Sequence, residues 1–341
     1  MIWEDVGGVR TEVYHVESRR PRLDAKEHIH LILCPGNPGC LFFYLAWLQD
    51  LQCDIESLVK DDVCVSTHGL SHANHHFKDS LDTCSCASRC IEYSFEEQID
   101  HFEAFCEGVV RDAGTGAKQL LVLVGHSIGA YAVVEVLNRN AKLRKQTVAM
   151  HLLMPFIQWR NLGFMHAMKI RLALSVPSFL ANFLADRVPT AVEKNARAVA
   201  SLIRKSHKDM DSGSIEMTAE AMLSRRLLLN FISMARSEVS AVRENEDVIL
   251  QRIQRLSRQI STYTLYTDDD VWAPLRDSEM LKAELPHVVV GFKEGLTHAF
   301  STSFEKGNLV RRLMMTELAK VFTFKSRPSS RGREEHILSK L

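Results

Sequence analysis

Through the first half of the chain, short continuous apolar runs alternate with stretches of helical spacing. Ile29-His30-Leu31-Ile32-Leu33-Cys34 is one such run, and it ends abruptly in Pro35-Gly36-Asn37-Pro38-Gly39, which predicts a buried strand entering a glycine-rich turn. From Leu41 to Val59, Phe42, Leu45, Leu48 and Ile55 share one stripe, so a helix follows. Asp62 to Thr67 predicts a second short strand. The stretch from His68 to about Cys90 has little periodicity and predicts a long loop. Phe95, Ile99, Phe102, Phe105 and Val109 return to helical spacing. Leu120 to Val124 then predicts a strand of branched residues leading into Gly125-His126-Ser127-Ile128-Gly129 and an amphipathic helix, and Thr147 to Met154 predicts the next strand. Val9 to Val16 alternates weakly and predicts a first, edge strand.

After Pro155 the pattern changes. Phe156 to about Arg255 is rich in leucine and methionine, is broken by Pro177 and Pro189, and contains no further clear strand, which predicts a helical insertion. Strand character resumes at Ile260 to Tyr266 and again at Val288 to Phe292, and an amphipathic helix over about Glu305 to Phe322 closes the sheet. The chain therefore divides into a first core part (1–155), a cap or lid insertion (156–255), a second core part (256–324) and a flexible basic tail (325–341). Strands alternating with helices imply an α/β class, with a mostly parallel central sheet and helices on both faces.

Composition narrows the function classes. At 341 residues, 46% hydrophobic and 25% charged, the chain is long enough for one large domain carrying an insertion. Forty-two basic residues balance forty-two acidic ones, so no global field steers it to nucleic acid, and none is expected as a partner. All eight cysteines, from Cys34 to Cys106, lie in the first third; with no signal-peptide layout at the N-terminus they read as reduced thiols in an intracellular protein. No run of eighteen uncharged apolar residues predicts a membrane span. Ser339-Lys340-Leu341 reads as a peroxisomal import address on an accessible tail, with the import receptor as the expected partner.

The candidate chemistry follows the strands. In a parallel sheet, ligands gather at the carboxyl ends of the strands. Asn37 follows one strand, Ser127 sits at a strand-to-helix elbow, and Asp270 and His298 follow the last two. Gly-x-Ser-x-Gly alone is a weak signal, but the order Ser, acid, His is that of the α/β-hydrolase fold. A serine hydroxyl needs an imidazole to take its proton, and the imidazole needs a buried carboxylate to fix its tautomer. Ser127, His298 and Asp270 are the candidates, with Asp268 or Asp269 as alternatives for the acid. The Ile128 and Asn37 N–H groups are the candidate oxyanion donors. His126 reads as a packing residue beside the elbow.

Two further clusters stand out. His68, His72, His75, His76, Cys84, Cys86 and Cys90 are dense in potential metal ligands, but their spacing fits no standard zinc pattern, so a polar loop with no metal and no cofactor is expected. Leu162 to Leu184 is apolar enough to lie on a lipid surface or line an acyl-chain pocket; the alternative is a buried helix pair bent at Pro177.

Several motifs together resemble one family. The turn Cys34-Pro35-Gly36-Asn37-Pro38-Gly39 with Phe43-Tyr44, the strand end Ser66 to His68, Gln98-Ile99-Asp100-His101, Gly125-His126-Ser127-Ile128-Gly129, Asp270-Val271-Trp272-Ala273-Pro274 and His298-Ala299-Phe300 are similar to those of the lipid droplet-associated hydrolases. The resemblance implies a serine hydrolase of the α/β-hydrolase fold, associated with neutral-lipid stores and acting on lipid esters, with Ser127, Asp270 and His298 as nucleophile, acid and base. It also implies the cytosol or a lipid-droplet surface as the alternative to the peroxisome. The expected reaction is ester cleavage through an acyl-enzyme. An acyl-CoA thioesterase on the same three residues is the alternative chemistry, and a non-catalytic lipid-binding or interaction protein is the alternative class.

Overall fold

A computed structural model describes residues 1–18, 25–76, 92–113, 116–175 and 177–325. Cys84, Cys86, Cys90 and the tail with Ser339, Lys340 and Leu341 lie outside the described residues. Among the described residues eight strands form one sheet: β1 (Ile2–Val6), β2 (Val9–Val16), β3 (Glu27–Cys34), β4 (Val63–Leu70), β5 (Lys118–His126), β6 (Thr147–Leu153), β7 (Ser261–Tyr266) and β8 (Val288–Phe292). Their order is β1-β2-β4-β3-β5-β6-β7-β8. From β4 to β8 every pair is parallel, while β2 runs antiparallel to both β1 and β4. Central parallel strands are covered on both faces, which is why β3 and β5 are continuous apolar runs rather than alternating ones. The edge strand β1 was not anticipated from the pattern. It forms because Gly7 and Gly8, both at positive φ, make a tight turn that folds it back on β2.

A single 3₁₀ turn, Leu41–Tyr44, leads into α1 (Leu45–Leu58). Next come α2 (Phe95–Asp112), α3 (Ile128–Arg139) and α4 (Ala141–Gln146). The start of α2 is set by a capping box in which Ser94 and Glu97 exchange hydrogen bonds, a device worth about 1 kcal/mol. Among its described residues the insertion holds α5 (Phe164–Leu174), α6 (Ser178–Lys194), α7 (Ala196–Ser206), α8 (Ser212–Ala221) and α9 (Arg225–Ser257). Pro177 caps α6, so it separates α5 from α6 rather than bending one helix. The long helix α9 is interrupted at Asn245, where the backbone is non-helical. Before that point Met234, Val239 and Val242 already enter the main core. Beyond it, Ile249, Ile253 and Leu256 enter the main core and Arg252 pairs with Glu135 on α3. Finally α10 (Leu275–Glu284) links β7 to β8, and α11 (Phe304–Lys325) follows β8. Helices α1 and α11 pack together on one side of the sheet, and α2, α3 and α9 pack together on the other.

The outer surface of the cap departs from the buried-pair alternative. Phe164 and Met165 on α5, Phe183 on α6 and Leu202 on α7 are more than half exposed.

Candidate active site

Strand register places the candidate residues in one row. Cys34 lies beside Gly125, His126 beside Leu153, Leu153 beside Leu265, and Tyr266 beside Phe292. The loops leaving β3, β5, β7 and β8 therefore emerge side by side at the carboxyl edge. These loops carry Asn37, Ser127, Asp270 and His298.

Ser127 sits at φ 55 and ψ −123, a conformation that costs a non-glycine residue about 1–3 kcal/mol. The fold holds it there from both sides. The Ser127 N–H donates to the Leu153 carbonyl at 2.9 Å, and the Ser127 carbonyl accepts from Phe156 N and Ala130 N, both at 3.1 Å. The flanking glycines permit the tight elbow: a Cβ on Gly125 would stand 2.5 Å from Ala130 Cα, and one on Gly129 would stand 2.4 Å from the Cys34 carbonyl oxygen.

One hydrogen-bonded line runs through the site. The Ser127 Oγ lies 2.8 Å from His298 Nε2, and His298 Nδ1 lies 2.7 Å from Asp270 Oδ2. The other Asp270 oxygen accepts from the N–H groups of Trp272 (2.9 Å) and Ala273 (3.0 Å), so both oxygens of the buried carboxylate are engaged. Asp268 is engaged elsewhere: it accepts from the Gly295 N–H and the Thr267 hydroxyl, which hold its carboxyl below the usual range. Of the three neighbouring aspartates, Asp270 is thus the one that meets His298.

The Asn37 turn lies directly over the nucleophile, for Gly36 approaches Ser127 so closely that a Cβ would stand 2.8 Å from Ser127 Cβ. Among the described residues neither the Asn37 N–H nor the Ile128 N–H is taken by another group. From below, His75 Nδ1 donates to the Pro38 carbonyl at 2.5 Å and the His72 N–H to the Gly39 carbonyl at 2.9 Å. Burial keeps both rings neutral, lowering His75 to about 4 and His72 well below its ordinary value. His126 packs behind His298. Its Nε2 donates to the His298 carbonyl (2.8 Å), which leaves Nδ1 to accept from the Tyr44 hydroxyl (2.6 Å). Burial lowers its pKa strongly, in keeping with this neutral tautomer.

The histidines of the metal-ligand cluster are divided between tasks. His68 bonds His15 (2.7 Å) and His30 (3.0 Å), and His30 bonds Gln119 (2.6 Å), along a cavity of about 620 Å³ between the sheet and α2. His76 bonds Arg226. Among the described residues no three His, Cys, Asp or Glu side chains are placed to hold a metal ion.

Sequence reasoning missed Glu238. This residue of α9 is buried and lies 3.3 Å from Asn37 Nδ2. The available signal was an acid at an apolar position: Met234, Glu238 and Val242 fall on one buried stripe of the helix.

Comparison with known proteins places these features. The family model of the lipid-droplet associated hydrolases matches residues 27–301. A lipid droplet-associated hydrolase of Gallus gallus is 26% identical over 306 residues, covering 85% of this chain and 86% of that one. The Homo sapiens protein of the same name is 25% identical over 327 residues, covering 92% and 91%. Among solved structures, a haloalkane dehalogenase variant of Bradyrhizobium elkanii superposes with a TM-score of 0.62 at 13% identity, covering 96% of this chain and 98% of that one. A peroxisomal α/β-hydrolase of Saccharomyces cerevisiae superposes with a TM-score of 0.58 at 12% identity, covering 97% and 96%. At such identities the solved structures speak for the fold alone, which is that of the α/β-hydrolases. The match over most of the chain decides the rest: this chain is a hydrolase of the α/β-hydrolase fold and belongs to the lipid-droplet associated hydrolase family.

Proposed function

We propose that the chain hydrolyses carboxylic esters of lipids through an acyl-enzyme on Ser127. The observation that carries this reading is the unbroken hydrogen-bonded line from Ser127 through His298 to Asp270. His298 Nε2 takes the Ser127 proton as Oγ attacks the ester carbonyl. The Nδ1–H donates to Asp270, whose carboxylate stabilises the imidazolium that forms. The negative oxygen of the tetrahedral intermediate is met by the Asn37 and Ile128 N–H groups. His298 then returns its proton to the leaving alcohol, and a water deprotonated by the same imidazole releases the acid.

The lipid part of the reading is supported by the relatives' name and by the cap. Residues 164–208 carry eight basic and two acidic residues alongside the exposed Phe164, Met165, Phe183 and Leu202. A basic, apolar face of this kind suits an anionic lipid surface. Residence at a lipid surface is then separated from the peroxisomal reading of Ser339-Lys340-Leu341 by imaging the full chain against one lacking Leu341.

A fluorophosphonate probe tests the enzyme reading. Labelling that disappears in Ser127→Ala is the expected result, and folded wild-type protein that does not label points to a non-catalytic lipid-binding role. Turnover of neutral lipid esters compared with acyl-CoA then decides between esterase and thioesterase.

A further inference from the structure

Among the described residues, the buried acids Glu135, Asp277 and Glu238 are answered either by a cation or by a side-chain amide. Glu135 pairs with Arg139 and Arg252, and Asp277 accepts from Asn161 Nδ2 at 2.7 Å. Glu238 is buried too and resembles Asp277: among the described residues no basic side chain reaches it, and its partner is the Asn37 amide. Burial pushes its pKa up to about 8, which favours its uncharged form at neutral pH. In that form it offers a carbonyl oxygen to Asn37 without setting a negative charge beside the place where an oxyanion would form.

The geometry around Asn37 is a two-sided clamp. On the core side His75 and His72 hold the turn through the Pro38 and Gly39 carbonyls. On the cap side, Asn37 Nδ2 donates to Glu238 Oε2 (3.3 Å) and to the Phe231 carbonyl (3.4 Å), both on α9. Because the Phe231 carbonyl can only accept, it turns Nδ2 rather than Oδ1 toward α9. We propose that Glu238 is a positioning residue: its carboxyl, with the Phe231 carbonyl, holds the Asn37 side chain to α9 and so sets the direction of the Asn37 N–H over Ser127. The cap and the oxyanion turn are then one mechanical unit, although they lie far apart in the chain. This inference rests on the oxyanion role given to Asn37 above.

The test compares wild type, Glu238→Leu, Glu238→Gln, Asn37→Ala and Ser127→Ala as full chains, measuring kcat and KM on a short p-nitrophenyl ester together with Tm. Displacing a donor by about 1 Å costs roughly 100-fold. Glu238→Leu is therefore expected to lose about 30- to 100-fold in kcat with KM changed less than about threefold. Glu238→Gln keeps an acceptor and should restore most of that loss. If Glu238→Leu does not fold, Asn37→Ala removes the same contact while keeping the backbone N–H, and it should show the same split. The proposal is overturned by a Glu238→Leu or Asn37→Ala protein with wild-type kcat, or by a loss that Glu238→Gln shares in full. Activity surviving in Ser127→Ala would instead overturn the proposed function itself, so the two failures are distinguishable.

Discussion

Gly36 and Ser127 are in contact across two different loops: a single methyl group on Gly36 would come within 2.8 Å of Ser127 Cβ and 3.1 Å of the His126 carbonyl. Both neighbours are held by backbone hydrogen bonds, so neither can give way cheaply. Gly36→Ala is expected to push the Asn37 turn off the nucleophile and to lower kcat by about 100-fold. A steady-state comparison with wild type, with folding checked by circular dichroism, decides it; an active Gly36→Ala enzyme would show that the turn is not part of the catalytic geometry.

Asp270 spends one oxygen on two backbone N–H groups and the other on His298. An amide in its place keeps the volume but can set its NH₂ toward His298 and force the wrong tautomer. Asp270→Asn should therefore fold normally and lose about 10³- to 10⁴-fold in kcat. Asp268→Asn, altering a carboxyl that bonds Gly295 and Thr267, should lose far less. Equal losses in both variants would argue against Asp270 as the acid.

Acid should unfold this protein earlier than its balanced charge suggests. His30, His75, His76 and His101 are lowered to about 4 and His151 to about 3, in each case chiefly by burial. Their unfolded values stand near 6.5, so between about pH 6.5 and 4 the unfolded chain binds protons that the folded chain refuses. Stability contributed by these neutral rings is present above pH 6.5 and is lost as pH falls, by up to about 1.4 kcal/mol per pH unit for each ring. Thermal melts at pH 7.5, 6 and 5 should show a steep fall in Tm. The His151→Phe substitution removes one such proton and should make that slope shallower.

The exposed apolar groups of the cap are tested by vesicle co-sedimentation. Wild type should sediment with phosphatidylcholine vesicles containing phosphatidylserine, and Phe183→Glu with Leu202→Glu should reduce the bound fraction about tenfold at unchanged Tm. Wild-type protein that stays in the supernatant would remove the cap from the lipid-surface reading.

The legible parts of this protein were those whose cause is local. β3 and β5 announce themselves as continuous apolar runs, and the elbow as a serine between glycines. The helices α1, α2 and α11 show as stripes at helical spacing. Less legible was β1, whose five residues carry no clean alternation and which depends on the Gly7-Gly8 turn to find its partner. The choice among Asp268, Asp269 and Asp270 depends on which carboxyl meets His298 and which is satisfied elsewhere, and no spacing encodes that. Glu238 lies 201 positions from Asn37, beyond the reach of any periodicity.

By itself the sequence determined the class of the fold and the chain order of serine, acid and histidine, because strand, turn and helix signals act over a few residues and the strand ends say where polar groups collect. The tertiary structure decided which of those groups touch. Parallel register aligns Cys34 with Gly125 and Leu153 with Leu265, and this long-range pairing brings Asn37, Ser127 and Asp270 to one edge. The contact between α9 and the Asn37 turn arises only when the cap folds over the core, since burial and the choice of polar partner are properties of the packed molecule and not of any segment of it.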